Sequence, residues 1–572
     1  MKKLHILIIL TIPLFIGCSE EFLDRPPLDQ IGNENYWKSA IDLQNYTAQF
    51  YQDLPVHENN ALTAIQEVSA DNLTNSSVNA LLNSETSIAT GTWQSDFAPV
   101  RGINVFFDNY TNCEDPFDSW KQFLGEAQFF KAWIYFDLVR KYGDVPWYTH
   151  ALSPDDKEEL MRPRDPRTLV VDSILMLLNQ AFENVELRND APWNNNSINK
   201  EAVLAFKCRV ALYEGTWQKY HIGTPFGTTG ADPNKYFLAS VSAAEELING
   251  DYHVGIYSTG DPDFDYYNFF GIGNMGSINE VLLYRAYNVG EFIGHNQNFH
   301  GTTNPNETGA TWSYVTSHLG LNGEPFDYLG LAETAKGNDF LIALSNNCDP
   351  RLKQSIWIPG QVMSTQSGQT FDYPGLFAGS TQTCPTGFQI KKHTNPNLTL
   401  TYANANDAGR IIFRYAEVLL NYAEAKYELD GTVAYDQLNL LRSRVGMPDF
   451  TVNPQSLDPN PIDYGYAISD ELYEIRRERR VELAFETFRE LDWKRWAAHA
   501  LFKSRRHKGY PFNPVEFPAS TPLLDGNGLI DIFQMALPDG YQFDESRDYL
   551  SSVPETEITL NPNLSQNPGW AD

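Results

Sequence analysis

The chain has 572 residues, 42% of them hydrophobic, with 73 acidic against 42 basic side chains and a formal charge of −31. So acidic a balance excludes nucleic acid, whose phosphates must be neutralised by Lys and Arg, and a polybasic grip on anionic lipid; its main effect is to keep an exposed protein in solution. Length accommodates several average domains or one large one, and an aromatic content of 13%, including 30 Tyr and 12 Trp, serves core packing first and ligand stacking second.

The N-terminus comes first in chain order. Lys2 and Lys3 precede an apolar run from Ile6 to Ile16, and Gly17-Cys18 comes directly after it. The run is shorter than the ~20 residues a membrane-spanning helix needs. A positive head, a short apolar run and a small residue at the cut describe an export signal, and Cys directly after the small residue resembles a bacterial lipobox. Residues 1–17 are therefore expected to be a signal peptide, Cys18 the lipidated first mature residue, and the polar residues 18–35 a tether. After Cys18 no stretch is long and apolar enough to cross a bilayer. Four of the five cysteines then remain. Cys208 lies in a helical pattern and reads as a buried thiol; Cys113 has no assigned partner; a bridge between Cys348 and Cys384 stays open in an oxidising compartment.

Helical periodicity dominates the chain beyond the tether. Trp120, Phe123, Leu124, Ala127, Phe130, Ile134 and Leu138 recur at helical spacing before Gly143 and Pro146. Ala202, Phe206, Val210, Tyr213 and Trp217 repeat the pattern, as do Ala434, Leu438, Leu441 and Val445 before Gly446. Ser469 is a good N-cap for a helix expected to reach about Phe502. Short loops between such helices suggest hairpins stacked like tetratricopeptide repeats. Residues 251–405 break the pattern: Gly, Asn, Thr, Pro and aromatics take over, with strand-like pieces at Glu280 to Tyr284 and Ser355 to Ile358. A loop-rich stretch on a rigid helical frame is where binding surfaces usually lie. The tail from Gly509 is again loop-like.

Within the charged segment, Glu478, Glu482, Glu486 and Glu490 fall four apart and would line one helical face, a mildly repulsive arrangement. Bulky Leu483, Phe485, Phe488, Trp493 and Trp496 bury the segment on more than one side, so the carboxylates need partners. Arg414, Arg442 and Arg444 are the candidates, in a structural network; the Glu-x-x-His pairs of a di-metal bundle are missing.

This segment resembles the signature helix of the SusD/RagB family of nutrient-binding lipoproteins of Bacteroidetes. Gly125 to Trp147, Arg410 to Leu429, Leu438 to Pro448 and Asn561 to Trp570 are similar to further family motifs, in the family's order, and the lipobox resembles its start. The resemblance implies a mainly α SusD-like fold, with four tetratricopeptide-like helix pairs packed against an irregular loop-rich region with minor β structure. As one integrated unit it would comprise a helical region 36–250, a loop-rich ligand-binding region 251–405 and a C-terminal helical region and tail 406–572. It implies lipid anchoring on the outer membrane, facing outward, and partnership with a SusC-like TonB-dependent transporter, over which the protein acts as a hinged lid. Oligosaccharide is the default ligand and peptide the alternative; no catalysis and no cofactor are implied.

Ligand contacts in such proteins come from a loop after the first helices and from the central region. The corresponding candidates are Asp71, Asn72, Asn75 and Trp93, then Trp312, Tyr314, Tyr328 and Tyr373 in polar loops, where aromatic platforms with flanking amides suit sugar rings. Asp71 competes with a turn-capping role, and Trp93 reads more readily as core. Gly271-x-Gly273-x-x-Gly276 copies a dinucleotide fingerprint but precedes a strand-like piece rather than a helix. Asp261, Asp263 and Asp265 mimic a calcium loop with Tyr266 in place of its Gly; His295 and His300 have no further ligands close by. No metal site is expected. A surface glycosidase using paired carboxylates and a lid without ligand affinity are the competing classes; glycan turnover would favour the first, transporter binding without any ligand the second.

Overall fold

The computed structural model describes residues 36–88, 92–190, 195–397 and 404–570; the signal segment, Cys18 and the tether lie outside them. Helix α1 (Ala40–Thr47) and helix α2 (Thr92–Asn109) lead to α3 (Lys121–Tyr142), which is buried along most of its circumference. Helix α3 ends where expected: Gly143, at φ 73°, turns its N–H back to the Val139 carbonyl at 2.9 Å. Helix α4 (Arg167–Asn184) packs along α3. The approach is close enough that a Cβ on Gly125 would stand 2.6 Å from Val185. Helix α5 (Lys200–Tyr220) starts on Asn199, whose side chain accepts from the Ala202 N–H, and α6 (Pro233–Asn249) on Asp232 with Pro at the first turn. Helices α5 and α6 form the next pair. Helix α7 (Tyr415–Asp430) lies against both, followed by α8 (Tyr435–Arg444), α9 (Asp470–Glu482) and α10 (Arg489–Arg495).

Two short antiparallel ladders stitch the irregular region to the helices. β1 (Leu73–Asn75) pairs with β3 (Thr308–Ala310), and β2 (Val281–Arg285) with β4 (Arg410–Arg414). The expected strand at Glu280 to Tyr284 is β2, one residue on. That at Ser355 to Ile358 is not a strand: a helical turn, Pro350–Ser355, leads to a single bridge between Ile356 and Ile390. Residues 251–405 also hold more helix than their composition suggests, including Tyr328–Thr334 and Asn338–Asn347. The largest apolar cluster takes residues from Trp37 through Leu564; a second joins Leu62, Leu73, Tyr314, Tyr328, Phe340 and Phe485. Cys348 and Cys384 are buried free thiols rather than a bridge, and Cys208 is a buried thiol as expected.

The charged segment departs from expectation in one respect. The helix after Ser469 does not run to Phe502 but stops at Glu482, and Phe485 and Thr487 adopt φ 65° and 76° before α10 begins. Side chains take over the carbonyls that a further turn would have satisfied. Tyr266 Oη and Arg414 Nη2 donate to the Glu482 carbonyl at 2.6 and 2.9 Å, and Lys392 Nζ to that of Ala484 at 2.8 Å. Glu486, swung off the helical face, pairs with Arg414 and Lys392, each at 2.7 Å. The arginines expected as partners are the partners. Glu482 meets Arg414 at 2.7 Å and Arg444 at 2.5 Å, and Glu478 meets Arg442 at 2.9 Å; Arg351 joins both glutamates.

Candidate ligand-binding site

The β1–β3 ladder brings together the two stretches from which ligand contacts were expected, but mostly turns their side chains inward. Asp71 is gripped by Arg489 (2.7 Å) and Arg480 (2.9 Å), and these two guanidinium groups hold its carboxyl well below the usual range despite burial. Asn72 donates to Glu67 at 3.0 Å and accepts from Arg480 at 2.8 Å. Tyr314 and Tyr328 are fully buried, the latter donating to the His318 carbonyl at 2.8 Å. Trp93 is core, stacked on Phe97 at 4.6 Å. The expectation is therefore corrected for these five: all are buried inside the fold, out of reach of a ligand arriving from solvent. Tyr314 sits on a helical turn, Trp312–Val315, which explains why a polar-loop composition concealed a core ring.

Three candidates stay near the surface. Asn75 is half-buried and accepts from the Ser77 N–H. Trp312 is half-buried and stacks on Phe340 at 5.7 Å. Tyr373 is 53% exposed and meets Phe517 edge-on. No ring contact or hydrogen bond joins these three among the described residues.

A cleft of about 550 Å³ beside the β2–β4 ribbon has the chemistry that was expected at those positions. Tyr284, a core ring whose hydroxyl donates to Asn274 at 3.4 Å, backs it from β2, and Tyr287 lines it from just beyond. Asn274, Glu291 and Asp407 supply amide and carboxylate groups from three separate loops, over a floor at Gly273 and Gly276. The glycine triplet that imitated a nucleotide fingerprint is thus a turn: the Gly276 N–H binds Asn274 Oδ1 at 2.9 Å, and the next element is the strand β2 rather than a helix. Tyr287 is oriented through its hydroxyl, which accepts from the His57 N–H at 2.8 Å. A bridge between Asn288 and Ile293 closes the loop at the rim. On it Phe292, flanked by lining residues Glu291 and Ile293, is 97% exposed and held at φ 61°. A left-handed non-glycine residue costs roughly 1–2 kcal/mol, and the ring stands beside Val289 and Ile293, themselves 39% and 51% exposed, as an apolar edge to the cleft. Polar groups at several angles with an apolar ring at the rim suit a sugar's hydroxyl edge and apolar face.

No group of three metal-ligating side chains assembles among the described residues. Asp265 instead caps a turn, accepting from Ser258 and Thr259. His295 is buried against His57, ring centroids 4.2 Å apart, and bonds the Ala408 carbonyl at 2.8 Å; burial lowers its pKa to about 4. His300 bonds backbone carbonyls.

Sequence and structure comparisons agree with this architecture. Residues 279–570 match the SusD family, and residues 21–212 match a family described as starch-binding and associating with the outer membrane. The chain is 22% identical to SusD-like protein P2 of Formosa agariphila, with the whole of both chains covered. A solved SusD-like protein from Bacteroides fragilis superposes with a TM-score of 0.72 at 21% identity, over 95% of this chain and all of that one. A SusD-like carbohydrate-binding protein of the same organism gives 0.71 at 19% identity, over 93% and 100%. A laminarin-binding SusD-like protein gives 0.55 at 17% identity, also over 93% and 100%. The family pattern spans the β2–β4 ribbon, the charged helix and the tail, and the chain belongs to the SusD family.

Proposed function

We propose that this protein captures oligosaccharide at the outer face of the outer membrane and hands it, unaltered, to a SusC-like TonB-dependent transporter over which it sits as a lid. Lipid on Cys18 would hold it there; no helix among the described residues is long and apolar enough to cross a membrane. The observation that carries the reading is family membership, together with relatives that bind carbohydrate or laminarin. The cleft at Tyr287, with Phe292 beside its rim, is the place we assign to it, lined by amides and by the carboxylates of Glu291 and Asp407. Asn75, Trp312 and Tyr373 remain surface candidates for a longer chain's outlying contacts.

Calorimetric titration with an oligosaccharide panel tests the reading, comparing wild type with Tyr287→Ala and Phe292→Ala. Weakened binding in both variants is expected. Unchanged affinity in both would remove the cleft from the account, and binding to no glycan while the transporter complex persisted would reduce the protein to a lid. For the anchor, mass spectrometry of the native protein should find an acylated Cys18; an unmodified N-terminus would contradict it.

A further inference from the structure

A second cleft, of about 360 Å³, opens between α3, α5, β4 and the break beyond α9. Its charges are not balanced in the way its neighbours' are. Arg209 grips Glu417 at 2.6 Å, Arg414 pairs with Glu280, Glu482 and Glu486, Glu490 pairs with Lys494 at 2.6 Å, and Arg140 pairs with Asp137. Arg410 is the exception. It lines the cleft, is 4% exposed, and makes no ion pair or hydrogen bond through its guanidinium among the described residues; its Nε is an enclosed donor with no acceptor.

An unpaired guanidinium withdrawn from water is expensive. The acidic groups around it favour its charge from a distance, but none bonds to it. His57 and His393 are buried and kept neutral at ordinary pH, Glu486 is already committed to Arg414 and Lys392, and the Glu67 carboxylate accepts from Asn72 and from the Thr487 N–H. Tyr287 and Glu58 complete the set around it. Burial lowers the pKa of Arg410, whereas its neighbour Arg414, with carboxylates in hand, is raised. Two further orphan donors line the same cleft: Arg140 Nε, and the indole N–H of Trp133, a residue 8% exposed, have no acceptor. Phe136 and Phe488 add apolar wall, and Asp53, exposed at the mouth, is the acidic lining residue left outside an ion pair.

We infer that this cleft takes one oxyanion, a carboxylate or sulfate carried by a sugar, with Arg410 as its counter-ion and the Trp133 N–H as a further donor. The inference rests on the capture role for its sugar, and on Arg410 alone for its charge. Guanidinium bonds to such groups are the strong, geometrically specific kind. An acidic sugar residue would thereby be distinguished from a neutral one of the same shape.

The test is thermal unfolding and calorimetry of the full mature protein with glucuronate, glucose 6-sulfate, glucose and inorganic sulfate, for wild type and Arg410→Gln. Glucuronate or the sugar sulfate should raise the melting temperature of wild type where glucose does not, and the affinity should fall about tenfold or more in the variant, the loss of one charge-assisted contact. Without ligand the variant should melt no lower than wild type, because no protein partner is abandoned. An equal response in wild type and variant, or none to any anion, would overturn the inference. Binding of inorganic sulfate alone would overturn its sugar component. Early melting of Arg410→Gln would show that the side chain has a partner in the protein. Neutral glycan binding, weakened by Phe292→Ala, would leave the capture role standing whichever result is obtained here.

Discussion

Phe292 and Trp312 show what a residue's sequence context can and cannot report. Both are large aromatics among polar neighbours, yet Phe292 is 97% exposed beside a cleft and Trp312 is half-buried on Phe340. The criterion that selected Trp312 and Tyr314 applies equally to Tyr287 and Phe292, which it passed over. Separating them needs the knowledge that residues 312–315 close a helical turn over a second core, a pairing with β1 from far away in the chain. Asp71 likewise reads as a free polar group until Arg480 and Arg489, more than four hundred residues later, arrive beside it. Phe292→Ala should lower glycan affinity by about 0.5–1.5 kcal/mol, the worth of one aromatic contact, with no change in melting temperature, since the ring packs on little. Calorimetry and a thermal melt on the same sample check both halves.

At the scale of elements, the helices were legible because their apolar spacing and stop signals are local. Helix α3 and its Gly143 terminus, α5, and α8 with its Gly446 stop can all be read from periodicity. The charged segment was half legible. Its need for Arg414, Arg442 and Arg444 could be read from carboxylates set among bulky apolar residues, but its break could not. That break depends on Tyr266, Lys392 and Arg414, brought from three distant segments to the end of α9. Arg414 is the hinge of the arrangement, so Arg414→Met should destabilise by about 3–5 kcal/mol, leaving Glu482 and Glu486 short of a counter-ion; denaturant unfolding measures it, and a loss within experimental error would contradict the network's role. At Thr487, held at φ 76°, substitution by glycine should stabilise by about 0.5–1 kcal/mol, since the left-handed penalty is removed at some entropic expense. A destabilised Thr487→Gly would show that the side chain, rather than the backbone bond to Glu67, sets that turn.

Across the whole molecule, pH dependence is set by how much charge is buried. Arginine partners outweigh burial and hold Glu424 and Glu486 at about 2, against an ordinary value near 4.5. The unfolded chain therefore binds protons that the native carboxylates refuse, and the stability these groups lend is present above pH 4.5 and lost as pH falls toward 2. Burial lowers His318 and His507 to about 4 and His393 to about 3, from 6.5. Their contribution has the same sign: it is full above pH 6.5 and lost as pH falls through those values. Melting temperature should thus decline in acid in two stages, first below about 6.5 and more steeply below about 4.5. A melting temperature flat between pH 7 and 4 would contradict the buried neutral histidines. The overall class was legible because ordered motifs along the chain carry it, whereas the proposed ligand cleft, built from loops far apart in sequence, was not. The most direct measurement is calorimetry of the mature protein with a glycan panel, coupled to chromatography of the same mixtures. Saturable binding, with every sugar recovered unchanged, is the result expected of a capture protein. Product that appears with time, and vanishes on replacing a single Asp or Glu, would contradict it.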